Sequence, residues 1–183
     1  MNDPEYQVIR NIGKGDHLAF KHLVRRYQNP LLNFTYRYTG DRQTAEDLVQ
    51  EVFLRVYQAA PRFKPRAKVS TWVFKIAYNL CMNEISRRKR ILNQNGPFRM
   101  TAEEQAGTAA SDMTRQMELE QSLSTLLNRL PENQRAALLL RVCEGHSYQE
   151  ISDILGVSLP SVESLIFRAR DRMRKLMSRD EGS

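Results

Sequence analysis

Six apolar residues, Ala45, Leu48, Val49, Val52, Phe53 and Val56, fall at i, i+3, i+4, i+7, i+8 and i+11. That spacing puts all of them on one face of an α-helix, and it does not fit the period-two alternation of a half-buried strand. The 3.6-residue period returns through most of the chain while strand patterns are sparse, so the expected fold class is all-α. Asp16 precedes a helix carrying Phe20, Leu23, Val24 and Tyr27 and is placed to cap it. Asn29-Pro30 reads as a cap followed by proline at the first helical position, restarting a helix through Leu31, Leu32, Phe34 and Tyr38.

Ser70 or Thr71 begins the next predicted helix, with Val73, Ile76, Ala77, Leu80, Cys81 and Ile85 toward the core. From about Leu92 to Met113 the residues turn small and polar, with Gly, Pro, Ser and Thr and no sustained apolar face. This stretch reads as a linker. The chain therefore divides into a unit over 1–91, a polar linker over 92–113 and a second helical unit over 114–183. The second unit opens with Met117, Leu123, Leu126 and Leu127 as apolar positions, and Pro131 then starts a helix that stops near Gly145.

The stretch SYQEISDILGVSLPSVESLIFRARDRMR follows, from Ser147 to Arg174. Ser147 and Glu150 fit a capping box, so a helix is expected from about Tyr148 to Leu155, stopped near Gly156. Ser158 caps a second helix, and Ile151, Ile154, Leu155, Val157, Val162 and Ile166 are expected to fill the angle between the two. This is the helix-turn-helix pattern, whose second helix enters the DNA major groove with its N-terminal residues toward the bases. The candidate base contacts are Pro160, Ser161, Glu163, Ser164, Phe167 and Arg168, with Arg170, Arg172, Arg174 and Lys175 adding charge for phosphates. A helical hairpin that binds nothing shares the same pattern.

A formal net charge of +7 favours a polyanionic partner, although a basic surface also suits anionic lipid or plain solvation. Its distribution is more telling. Within residues 61–90, Arg62, Lys64, Arg66, Lys68, Arg87, Arg88, Lys89 and Arg90 face Glu84 as the only acid. Lys75, Asn79, Asn83, Arg87 and Arg90 align on one helix side, a row of amides for base edges and cations for phosphates. The helix of the opening stripe shows a mixed outer face of Asp47, Gln50, Glu51, Leu54 and Arg55, suited either to a basic partner helix or to water.

Other classes find less support. No apolar run approaches the ~18 residues a membrane span requires, so no stable membrane insertion is expected. The start MNDPEYQVIR lacks the basic and apolar regions of a signal peptide, so a cytoplasmic location is expected. Cys81 and Cys143 sit in helical apolar patterns and read as reduced core residues. His17, His22 and His146 are scattered, Cys143 and His146 straddle a helix end, and neither a phosphate loop nor a nucleophile constellation occurs. No metal, no cofactor and no catalytic residue is expected, and the chain is not expected to be an enzyme.

The segments AEDLVQEVFLRVY and STWVFKIAYNLCMNEISRRKR resemble domain two of bacterial sigma factors, and LPENQRAALLLRVCEGHSYQEISDILGVSLPSVESLIFRARDRMRKL resembles domain four. Two long motifs in this order across a polar linker are similar to the compact extracytoplasmic-function (ECF) group. The resemblance implies a dissociable subunit that brings RNA polymerase core to promoters and promotes strand opening. It implies that Asp47, Gln50, Glu51, Leu54 and Arg55 meet the clamp helices of the largest core subunit. It also implies that RFKPRAKVSTW forms a loop receiving a flipped base, with Phe63, Trp72, Asn79 and Asn83 around the pocket. Extruding a base costs a few kcal/mol of stacking, offset by pocket contacts. Lys64, Arg66, Lys68, Arg87 and Arg88 then line the single strand.

Partners implied are the polymerase core, promoter DNA in duplex and single-stranded form, and an anti-sigma factor. Family members often carry basic residues where this chain has Glu163 and Leu165; Glu163 suits a cytosine amino group but repels a misplaced phosphate, so the resemblance leaves the sequence read by domain four open. A regulator that reads duplex DNA and never meets polymerase stays open on the residues alone, as does, more remotely, a metal-dependent nuclease.

Overall fold

The computed structural model describes residues 3, 5–95 and 122–180, all helix, turn or irregular chain with no strand among them. Four helices form the N-terminal unit: α1 (Glu5–Gly13), α2 (His17–Thr39), α3 (Arg42–Ala59) and α4 (Val69–Asn95), with a 3-10 turn over Ala60–Arg62. The C-terminal unit holds α5 (residues 122–128), α6 (Glu132–Val142), α7 (Tyr148–Leu155) and α8 (Leu159–Asp180). Residues 92–95 of the expected linker continue α4, and 96–113 lie outside the described residues, as does Met117.

Local chemistry sets the helix ends. Asp16 accepts from the Leu18 and Ala19 amides at 2.9 and 3.0 Å, the expected cap on α2. Asp41 does the same for α3 through Thr44 N. Gly40 between them takes φ 74°, the left-handed conformation that closes α2 through Tyr36 O at a position costly for other residues.

The break expected at Asn29-Pro30 does not occur, because α2 runs unbroken through Pro30. Proline suits the helical φ and costs a donor and some crowding of the preceding turn. Burial of Leu23, Tyr27, Leu31, Phe34 and Tyr38 on both sides of it holds the helix together, each such side chain contributing roughly 1.5–3 kcal/mol.

The opening stripe is core as read: Ala45, Val49, Val52, Phe53 and Val56 are buried and Leu48 is half-buried. On α4 the buried arc is wider than expected. Val73, Ala77, Leu80 and Cys81 are buried, but so are Phe74 and Tyr78. Phe74 meets Phe34 edge-on at 5.7 Å, and Tyr78 meets Tyr38 at 6.4 Å.

The cause of that wider arc lies partly in the second unit, because α7 packs along α4 and α6 packs against α2. Arg135 of α6 is buried, and its guanidinium donates to the Tyr38 carbonyl and to Asn128 Oδ1 while lying 5.4 Å from the Tyr38 ring centroid. The Tyr78 hydroxyl donates to Asn133 Oδ1 at 3.0 Å. Cys143 departs from its expected place in the core: it is exposed just past the end of α6, where its Sγ accepts from Arg37 Nη1 at 2.9 Å. Cys81 is buried as expected.

Candidate nucleic-acid and polymerase interfaces

Residues before Val69 position the N-terminus of α4. Asp3 Oδ2 accepts from Val69 N at 2.8 Å, satisfying a helix-end donor that the chain itself leaves open. The Tyr6 hydroxyl donates to Ala67 O at 3.2 Å, and its ring lies 6.0 Å from Phe63. Glu5 accepts from Tyr27 Oη and pairs with Arg26 at 2.7 Å, tying the start of α1 to α2. These fixing roles of Asp3, Glu5 and Tyr6 escaped the sequence reading because their partners lie 21 to 66 positions away.

Phe63 and Trp72 come together with ring centroids 4.6 Å apart at 49°. They share an open cleft of about 490 Å³ with Arg55, Arg62 and Lys64. Aromatic surface beside cations offers stacking to a base and charge to its phosphate. Trp72 is half-buried, so it both packs on the core and faces the cleft. Lys64 and Arg66 are exposed on the loop.

Along α4, Lys75, Asn79, Asn83, Arg87 and Arg90 are all exposed in the row that their spacing requires. Arg87 donates twice to Glu84, at 2.8 and 2.9 Å. The Arg87 hydrogen bonds, with help from Arg88, hold the Glu84 carboxyl below its ordinary range against the pull of partial burial. Arg88 is half-buried, and its donors go to Glu84, Asp41 and the Thr44 hydroxyl. It braces α4 against the start of α3, which leaves less of it for a phosphate than its neighbours have.

The outer face of α3 presents Asp47, Gln50, Leu54 and Arg55 as exposed residues with Glu51 half-buried. Leu54 is 50% exposed between them, an apolar side chain ringed by polar ones. Glu51 and Arg55 pair at 2.7 Å one helical turn apart.

In the C-terminal unit the capping box is complete: Ser147 Oγ accepts from Glu150 N at 3.2 Å and Glu150 Oε2 accepts from Ser147 N at 2.7 Å. Gly156 closes α7 at φ 68°, and the Ser152 hydroxyl donates to Val157 O at 2.6 Å across the turn. Ile151, Ile154, Val162 and Ile166 are buried between α7 and α8, with Leu155 and Val157 half-buried. Pro160, Ser161, Glu163, Ser164, Phe167 and Arg168 are exposed on α8, and Leu165 is half-buried. Phe167 is 73% exposed beside Arg168 on the outer side of α8. Further along, Asp171 takes Lys175 at 2.8 Å and Arg174 at 4.0 Å.

His17 and His22 are exposed and His146 is buried, and no cluster suited to a metal ion occurs among the described residues. No described helix is long and apolar enough to cross a membrane.

Comparison with known proteins matches both units. The model of Sigma-70 region 2 covers residues 23–91, and that of Sigma-70, region 4 covers residues 120–173. RNA polymerase sigma-H factor of Pseudomonas aeruginosa is 32% identical over 96% of this chain and 94% of its own. The ECF RNA polymerase sigma-E factor of Escherichia coli K12 is 32% identical over 90% of this chain and 89% of its own. A solved structure of the sigma factor RpoE in complex with the anti-sigma factor NepR from Bartonella quintana superposes with a TM-score of 0.70 at 24% identity, covering 87% of this chain and 96% of that one. A regulator acting through the helix-turn-helix alone would not account for matches that span both units in order. The chain belongs to the extracytoplasmic-function sigma factors, transcription initiation factors that direct RNA polymerase to promoters.

Proposed function

We propose that the surfaces described above divide the labour of initiation among three faces. The outer side of α3, with Asp47, Gln50, Glu51, Leu54 and Arg55, docks on the clamp helices of the polymerase core. Phe63 and Trp72 receive an extruded base, while Asn79 and Asn83 read bases exposed after strand separation. Lys64, Arg66, Lys68 and Arg87 neutralise the strand, with Arg88 in a bracing role. The start of α8 reads the distal duplex element through Ser161, Glu163, Ser164, Phe167 and Arg168, with Pro160 setting the helix start. The division of the chain at about 91 and 113 follows from the same reading.

The observation that carries this reading is the joined surface at α4: an aromatic pair in an open cleft, continued by an exposed row of two amides and three cations. Such a surface has stacking, edge recognition and charge in the order a displaced strand would meet them. The chain itself supplies no catalytic group in this scheme, acts in the cytoplasm and leaves phosphodiester chemistry to the polymerase.

We also assign it an anti-sigma factor, supported by the fold shared with a sigma factor solved in such a complex. Full promoter occupancy by the protein at native level, without any inducing condition, would refute that partner. The docking face is tested by Leu54→Glu. Loss of binding to core polymerase with unchanged helicity supports it, and undiminished binding removes α3 from the interface.

A further inference from the structure

The outer side of α2 has no part in the three faces assigned above. Leu18, Lys21, His22, Arg25 and Asn29 recur at i, i+3, i+4, i+7 and i+11, opposite the buried Leu23, Tyr27, Leu31 and Phe34, and all five are exposed. Lys14, exposed in the turn that leads into the helix, extends this stripe at its start.

The charge of the stripe is unbalanced. Asp16 is the only acid from residue 6 to residue 40, and its carboxylate is taken by the Leu18 and Ala19 amides. Arg26 pairs with Glu5 at 2.7 Å, whereas no carboxylate among the described residues pairs with Lys14, Lys21 or Arg25. Leu18, 79% exposed, sits among these cations. A single exposed leucine is ordinary on a protein surface. Its place within a stripe of cations is what suits a partner that is anionic outside and apolar just beneath.

We propose that this stripe is a reversible docking face for an anionic phospholipid surface, holding the protein peripherally. Lys14, Lys21 and Arg25 meet the headgroup phosphates, while their aliphatic stems and Leu18 reach toward the acyl boundary. All lie on one side of one helix, so a flat surface can touch them together. Other polyanions fit less well. The outer side of a helix is convex, and the stripe lines neither the cleft at Phe63 nor the apolar groove beside Cys143, so neither hollow brings an acidic peptide against it. It also lacks an aromatic ring for stacking a base, because Phe20 of α2 turns inward onto Phe53 and Tyr57.

Co-sedimentation of the full-length chain with vesicles of phosphatidylcholine, alone or mixed with phosphatidylglycerol, tests this directly. Binding to the mixed vesicles only, weakening as salt is raised, is the expected result. Lys21→Gln with Arg25→Gln should lower the apparent affinity at least about tenfold. Leu18→Gln should lower it roughly tenfold without changing the salt dependence. Lys75→Gln with Arg90→Gln removes the same charge from α4 and should leave vesicle binding within about twofold of wild type. No binding to the mixed vesicles, equal losses for the α2 and α4 pairs, or full binding by both α2 variants would each overturn the proposal. Vesicle binding unaltered by the α2 pair while its binding to a single-stranded oligonucleotide falls would overturn it too, and would give the stripe to nucleic acid.

Discussion

The imidazole of His146 stands edge-on to the ring of Phe74, centroids 4.9 Å apart at 73°, and joins the turn before the helix-turn-helix to the helix bearing the amide row. Both residues border a cavity of about 310 Å³ between the units, which Arg26, Lys68, Glu144 and Glu150 also line. Burial pushes the Glu144 carboxyl up to about 7, only partly opposed by Arg37. Burial pushes His146 down, with Glu150 opposing and Lys68 adding to the shift. Glu150 is brought to about 2 by Lys68 and Ser147 despite burial, so it stays ionised at neutral pH.

Opposite pH slopes follow for two variants. A carboxyl raised in the folded chain contributes stability below its unfolded value that is lost as pH climbs through about 7. A depressed imidazole contributes stability above the ordinary 6.5 that is lost as pH falls toward its folded value. Glu144→Gln therefore leaves a chain that weakens as pH drops from about 7 to about 5, and His146→Gln leaves one that strengthens. Urea unfolding across this range reads both, and parallel slopes in the two variants would contradict the assignment.

Ser147→Ala removes the acceptor for the Glu150 amide and should cost about 1 kcal/mol. Because α7 supports α8 through Ile151 and Ile154, duplex binding should weaken with it. Chemical denaturation and a duplex binding titration check the two effects, and stability equal to wild type would show the box to be dispensable.

Asn79→Ala should lower promoter opening while leaving affinity for polymerase core nearly unchanged, since the side chain is exposed on α4 and the docking face is assigned to α3. Permanganate reactivity of the opened strand against a core-binding titration separates the two. Equal losses in both would remove Asn79 from the strand-reading row.

Arg168→Ala should weaken duplex binding and make the log–log salt dependence shallower by roughly 0.9, the share of one phosphate. A variant with reduced affinity but the wild-type slope would show that Arg168 contacts no phosphate.

Most of what is local was legible in the sequence. The stripe from Ala45 to Val56, the Asp16 cap, the Ser147 box and the Gly156 stop are each written within a few residues, and each occurs. Pro30 misled because its helix is held by burial on either side, which proline's local preferences do not reveal. Phe74, Tyr78, Arg135 and Cys143 misled or were missed for another reason: their surroundings are set by the packing of one unit on the other. The exposed row on α4 was readable from spacing, but the meeting of Phe63 with Trp72 depends on the loop that Asp3 and Tyr6 pin.

Transcription in vitro tests the central claim most directly: RNA polymerase core and this protein on fragmented DNA from its own source, with transcript 5′ ends sequenced. Discrete starts that require the protein, preceded by two shared sequence elements, are the predicted result. Sequence-specific DNA binding by the protein with no protein-dependent starts would contradict it.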